Sequence, residues 1–161
     1  MPYIKQTDRD RLDRYIDNLA SELQTSGIEN NLGYVMFNLA KKLCKRYKDY
    51  AHFEGDINQS LREIYRRFNL KPTTFIYPIR LDCDLKRFNW IIDNLASELD
   101  GMGITGNLNY IVFRLSKKVI KNHLDLFMFE NDLQQCLIDI YNKLESKYEN
   151  KKLKENGDVL E

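Results

Sequence analysis

The octapeptide Ile16-Asp17-Asn18-Leu19-Ala20-Ser21-Glu22-Leu23 recurs unchanged as Ile92 to Leu99, 76 residues further on. A repeat of this kind constrains a chain more than any local propensity, because both copies must satisfy one folding plan. The offset then holds without a gap. Gly27-Ile28 meets Gly103-Ile104, Asn31-Leu32 meets Asn107-Leu108, Lys41-Lys42 meets Lys117-Lys118, and Ile64-Tyr65 meets Ile140-Tyr141. Between residues 8–68 and 84–144, 28 of the 61 aligned positions are identical, and even Pro2 falls on Pro78.

Each copy reads as three helices. Leu12, Ile16, Leu19, Ala20 and Leu23 recur at the spacing of one helical face, and Gly27 is a natural stop. Asn30 or Asn31 is expected to cap the next helix, which carries Leu32, Val35, Met36, Leu39, Ala40 and Leu43. Asp56 is expected to cap the third, with Ile57, Leu61, Ile64, Tyr65 and Phe68. Copy two repeats the plan with Phe88 to Leu99, Leu108 to Val119 and Leu133 to Leu144.

Lys71 to Pro78 joins the copies. Its two prolines and two threonines disfavour helix, so it reads as extended, with Phe75, Ile76 and Tyr77 packing across both copies. A unit of about 60 residues buries too little surface to be robust alone. The expectation is therefore an all-α fold: one six-helix domain of two tandem three-helix repeats related by a pseudo-twofold. Repeat one with its connector covers 1–77, repeat two covers 78–153, and 154–161 is a polar tail; the polar stretch from Glu149 to Asp158 is expected to fray.

Chemistry is harder to find. His52 and His123 occupy non-equivalent positions and form no ligand spacing. Cys44, Cys83 and Cys136 are scattered, with Cys44 and Cys136 on apolar faces, so neither disulfide, zinc site nor catalytic thiol is expected. Asp8, Asp10 and Asp13 crowd the start of the first helix, where the helix dipole favours negative charge. Gly101-x-Gly103-x-x-Gly106 matches a dinucleotide-loop pattern by letter, but it follows a helix and not a strand, so it reads as a helix–helix connection. No enzyme and no cofactor is expected. A net charge of +1 argues against a generic nucleic-acid binder. The absence of a long apolar run argues against a membrane span, and the lack of an apolar N-terminal segment against a secretory signal. With no disulfide framework, a cytoplasmic setting is expected.

Two groups of residues remain as binding candidates. Arg62, Arg66 and Arg67 stand beside Tyr65, a pairing suited to phosphate and base recognition, although a solvated face balanced by acids would look the same. Asn-Leu-x-Tyr occurs at Asn31–Tyr34 and at Asn107–Tyr110, so a symmetric tyrosine pair could line a cleft between the copies, or serve the core.

Tyr3-Ile4-Lys5-Gln6-x-Asp8-Arg9, Asn107-Leu108-Asn109-Tyr110, Ile64-Tyr65-Arg66-Arg67, and Tyr148-Glu149-x-Lys151-Lys152 with Glu155 to Val159 resemble a family of short, uncharacterised helical proteins of bacteria and phages. Its members resemble one copy of the unit, whereas this chain holds two. Arg66-Arg67 become Asn142-Lys143 in copy two, so any site built on them is not duplicated. The resemblance places the chain in a bacterial or phage setting, in the host cytoplasm if phage-encoded. We therefore expect a non-enzymatic protein that sequesters a small anionic, nucleotide-type signal, such as a host immune messenger. Its cleft would use Tyr34, Tyr110, Arg66, Arg67, Lys5, Asn31, Asn107 and Tyr65. The alternative is a protein–protein module that inhibits or adapts a host protein. Homo-oligomerisation is compatible with either.

Overall fold

In a computed structural model, which describes residues 4–68 and 84–157, the chain forms α1 (Gln6–Ser26), α2 (Asn31–Leu43), α3 (Tyr47–Arg67), α4 (Lys86–Met102), α5 (Asn107–Val119) and α6 (His123–Ile140). A π-helical turn, Tyr141–Glu145, carries α6 without a break into α7 (Ser146–Asn156). Among the described residues there is no strand. The connector 71–78, Cys83, Pro2 and the last four residues lie outside the described residues.

The repeats do not fold side by side. α1 packs against α4 and α5, α2 against α4 and α6, and α3 against α5 and α6, while contact between helices of one repeat is sparse. The pairings map onto each other under the offset of 76: α1 with α5 mirrors α4 with α2, and α3 with α5 mirrors α6 with α2. The two copies are thus intertwined about a pseudo-twofold axis. One apolar cluster runs through both, with Phe53, Ile16 and Leu39 from the first and Phe88, Phe129 and Leu115 from the second, all fully buried.

The ends of the helices explain the interlocking. Gly27 and Gly103, equivalent residues, close α1 and α4 with φ of 94° and 92°, a left-handed backbone that a side chain would strain. Asn30 and Gly106, again equivalent, then open α2 and α5 at φ 70° and 82°. Neither Asn30 nor Asn31 caps α2 with its side chain. The Asn31 side-chain amide instead donates backwards to the carbonyls of Ser26 and Gly27, as Asn107 does to Gly103. The cap comes from the other repeat. Asp132 in α6 accepts from the backbone N–H groups of Asn30 (3.2 Å) and Gly33 (2.8 Å). Asp56 in α3 accepts from those of Gly106 (2.8 Å) and Asn109 (2.9 Å). Asp56 therefore does not start the third helix. α3 begins nine residues earlier, where the Asp49 carboxylate takes the N–H groups of Lys45 and Arg46. A mid-helix carboxylate at the positive end of another helix satisfies orphan donors and the dipole together.

The tail also departs from expectation. Glu149 to Asn156 are helical within α7, although no residue of that helix is buried.

Candidate anion-binding cleft

Tyr34 and Tyr110 both lie at the interface between the repeats, each bonded across it, but on opposite sides of the axis. The Tyr34 hydroxyl donates to Asn89 Oδ1 at 2.9 Å, with Asp84 Oδ1 at 3.5 Å. The Tyr110 hydroxyl donates to Asp13 Oδ1 at 2.5 Å. Burial, then the Asp13 hydrogen bond and charge, push the Tyr110 hydroxyl up to about 12, so it remains a donor at neutral pH.

Around Tyr110, α1 and α5 enclose a cleft of about 260 Å³. α1 contributes Arg9 and Asp13, one helical turn apart. α5 contributes Tyr110, Phe113, Arg114 and Lys117 on successive turns. The helix period is what gathers them, since residues three and four apart share a face. The Arg9 guanidinium sits 5.7 Å from the Tyr110 ring centroid, and Lys117 Nζ lies 5.3 Å from that of Phe113. Arg67, at the end of α3, reaches the same Phe113 ring at 5.9 Å. Three cations and a single carboxylate line the cleft, and its walls are aromatic. Arginine over an aromatic face beside a second guanidinium is suited to a phosphate joined to a planar or sugar group.

The pseudo-equivalent region lacks this character. Leu85 replaces Arg9, Asn38 replaces Arg114 and Asn89 replaces Asp13; only Lys41 answers Lys117. The Asn38 side-chain amide is bonded to the Tyr34 carbonyl.

The other candidates read from the sequence lie elsewhere. Arg66 is exposed in the last turn of α3, and Lys5 is exposed just before α1. Asn31 and Asn107 are buried and tie helix ends, with Arg87 reaching Asn31 Oδ1 at 3.3 Å. Tyr65 donates to Glu130 at 2.9 Å and accepts from Gln134, and burial followed by Glu130 raises its hydroxyl further still. It belongs to a separate groove of about 540 Å³ between α3 and α6, floored by Leu61, Leu137 and Ile138. Of the eight residues, Tyr110 lines the basic cleft, and Arg67 touches it only through the Phe113 ring. Arg9, Asp13, Phe113 and Arg114 were not singled out for binding by sequence reasoning. A signal was available: the copies differ at Arg9, Asp13 and Arg114, and Phe113 is shared with Phe37.

Several other features carry no cleft chemistry. Burial pushes the Cys44 thiol up to about 12 and the Cys136 thiol well above its ordinary range, so neither is a thiolate nucleophile at neutral pH. Glu54 meets Glu145, which the π turn holds buried against it, and neither residue lines the basic cleft. Among the described residues no group of His, Cys, Asp and Glu is arranged to hold a metal ion, and no helix is long and apolar enough to cross a membrane.

The architecture so defined is an all-α tandem-repeat protein with a basic–aromatic cleft at one of two pseudo-equivalent interfaces. The family model described as Domain of unknown function (DUF6899) matches it twice, over residues 1–71 and 80–159, and the chain belongs to that family as an internally duplicated member. No curated protein and no solved structure matches it.

Proposed function

We propose that this protein is a non-enzymatic binder that holds a small anionic, nucleotide-type molecule in the cleft between α1 and α5. The observation that carries the reading is the convergence of Arg9, Arg114 and Lys117 on the Tyr110–Phe113 wall, with Arg67 over the same ring. Cations on packed helices beside aromatic faces offer charge-assisted hydrogen bonds to a phosphate and an apolar surface to what it is attached to. At about 260 Å³ the cleft is smaller than most ligand pockets and suits a phosphate together with part of the group it is attached to. Its role on this reading is sequestration: the protein lowers the free concentration of a nucleotide signal, such as one used in the immunity of a bacterial host to phage.

Thermal unfolding against a panel of cyclic nucleotides and ADP-ribose derivatives tests this, because a ligand of the folded state raises the midpoint. At least one member raises it for the wild type, Arg114→Glu abolishes the rise, and Lys41→Glu on the opposite side retains it. A panel that leaves the midpoint unmoved, or an equal rise in Arg114→Glu, sinks the proposal.

A second reading, a protein–protein module acting on a host protein, is supported by Trp90. This residue is 53% exposed, its ring edge-on to Tyr15 at 6.2 Å, with the Arg14 guanidinium 4.7 Å from the Tyr15 ring. Tryptophan, tyrosine and arginine are the side chains that most often anchor interfaces. Loss of a captured host protein on Trp90→Ala would favour this reading.

A further inference from the structure

The one carboxylate in the basic cleft poses a chemical question. A negative charge opposing an anionic ligand weakens binding unless it recognises something itself. The repeat supplies an internal control for its structural role. Asn89 occupies the position equivalent to Asp13 and accepts the Tyr34 hydroxyl at 2.9 Å, as Asp13 accepts the Tyr110 hydroxyl at 2.5 Å. At Asn89 a neutral side chain receives the tyrosine directly, and the Asp84 carboxylate stands behind it, 3.5 Å from the hydroxyl and bonded to the Asn89 amide at 3.1 Å. At the cleft the carboxylate is instead the direct acceptor, and it lines the same space as Arg9 and Arg114. Tyr110 is bonded to Oδ1, and a carboxylate has lone pairs on both oxygens for about four donors. Arg9 and Asp13 are i, i+4 on α1, which sets their Cβ atoms about 6 Å apart, a span comparable to a pentose ring.

We infer that Asp13 is a specificity-determining residue that accepts hydrogen bonds from the hydroxyls of a sugar whose phosphate is held by Arg9 and Arg114, so that the cleft takes phosphorylated ribose in preference to its deoxy counterpart. This rests on the anion-binding reading above. The selection arises because a ligand lacking one hydroxyl leaves a desolvated carboxylate oxygen without its donor. The tyrosine hydroxyl, locked as a donor to Oδ1, holds the carboxylate in place. The mirrored region, with Asn89 and Leu85, keeps the tyrosine contact and has lost the recognition.

Calorimetric titration with inorganic phosphate, ribose 5-phosphate and 2-deoxyribose 5-phosphate tests the inference. For the wild type, ribose 5-phosphate binds about tenfold tighter than 2-deoxyribose 5-phosphate, as expected for one charge-assisted hydrogen bond. In Asp13→Asn, the residue that the other repeat already carries, that ratio falls to about one, while inorganic phosphate binds more tightly because a repelling charge is gone. Equal affinity of the wild type for the two sugar phosphates overturns the inference even if Asp13→Asn fails to fold. So does an undiminished ratio in the variant. Binding of phosphate with no sugar discrimination leaves the anion cleft standing and removes Asp13 from its recognition. Failure of all three probes to bind removes both.

Discussion

Asp56, in the middle of α3, receives the backbone N–H of Asn109 at 2.9 Å and so caps a helix of the other repeat. Its counterpart Asp132 does the same for Gly33 at 2.8 Å. The two caps fasten the repeats to each other at symmetry-related points. Each lies where a buried carboxylate without its donors would be costly.

Asp56→Ala and Asp132→Ala should each destabilise the fold by about 1–2 kcal/mol, the usual cost of a lost helix cap, with the upper end for Asp132, which is fully buried. Urea denaturation of the two variants, and of the double variant, reads this directly. A change below a few tenths for both would mean that the caps are dispensable.

Interlocking also predicts how the halves behave. Separate polypeptides covering 1–77 and 78–161 should be largely unstructured alone and gain helix on mixing, because the principal packing partners of α1, α2 and α3 lie in the other half. Circular dichroism of each half and of the equimolar mixture checks it. Independent, cooperative folding of either half would contradict the intertwined packing.

Stability should fall as pH rises from about 5 to 8. Burial, then contact with Glu145, pushes Glu54 up to about 8; burial pushes Asp132 up to about 7, against its backbone donors. A folded-state carboxyl with a raised pKa holds its proton after the unfolded chain has released it. Its contribution is complete below the unfolded pKa and is lost as pH climbs through the folded one. Each such group tilts stability against the folded state as pH rises through that window. Urea midpoints measured across it should decline for the wild type and decline less for Glu54→Gln, which needs no proton.

Removing residues 151–161 should leave the unfolding midpoint nearly unchanged, within about 0.5 kcal/mol, since this part of α7 is exposed throughout its described residues. Tyr148, whose ring lies tilted against that of Tyr50 at 6.0 Å, is retained in that truncation. A loss of several degrees would show that the tail touches the body more closely than its exposure indicates.

Much of the helical plan is legible in the amino-acid order. Leu12, Ile16, Leu19 and Leu23 mark a face that must be buried, and each is. Gly27 and Gly103 mark the stops. The cleft was legible only in part. Tyr110 and Arg67 stand out by composition and motif, whereas Arg9, Asp13 and Arg114 look like ordinary surface charges until α1 lies against α5. The caps misled for the same reason. Asp56 precedes an apolar run, as a cap does, yet α3 had already begun and the carboxylate serves a helix about fifty residues away in the chain.

Periodicity and repetition determined that this chain makes two copies of a three-helix unit, because apolar spacing dictates which face of each helix must leave water. They did not determine what covers that face. The choice between packing within a copy and packing across copies rests on crossing geometry, on Asp56 and Asp132 finding donors in the opposite repeat, and on one shared interior. These are relations between residues distant in sequence, which only the assembled tertiary structure decides.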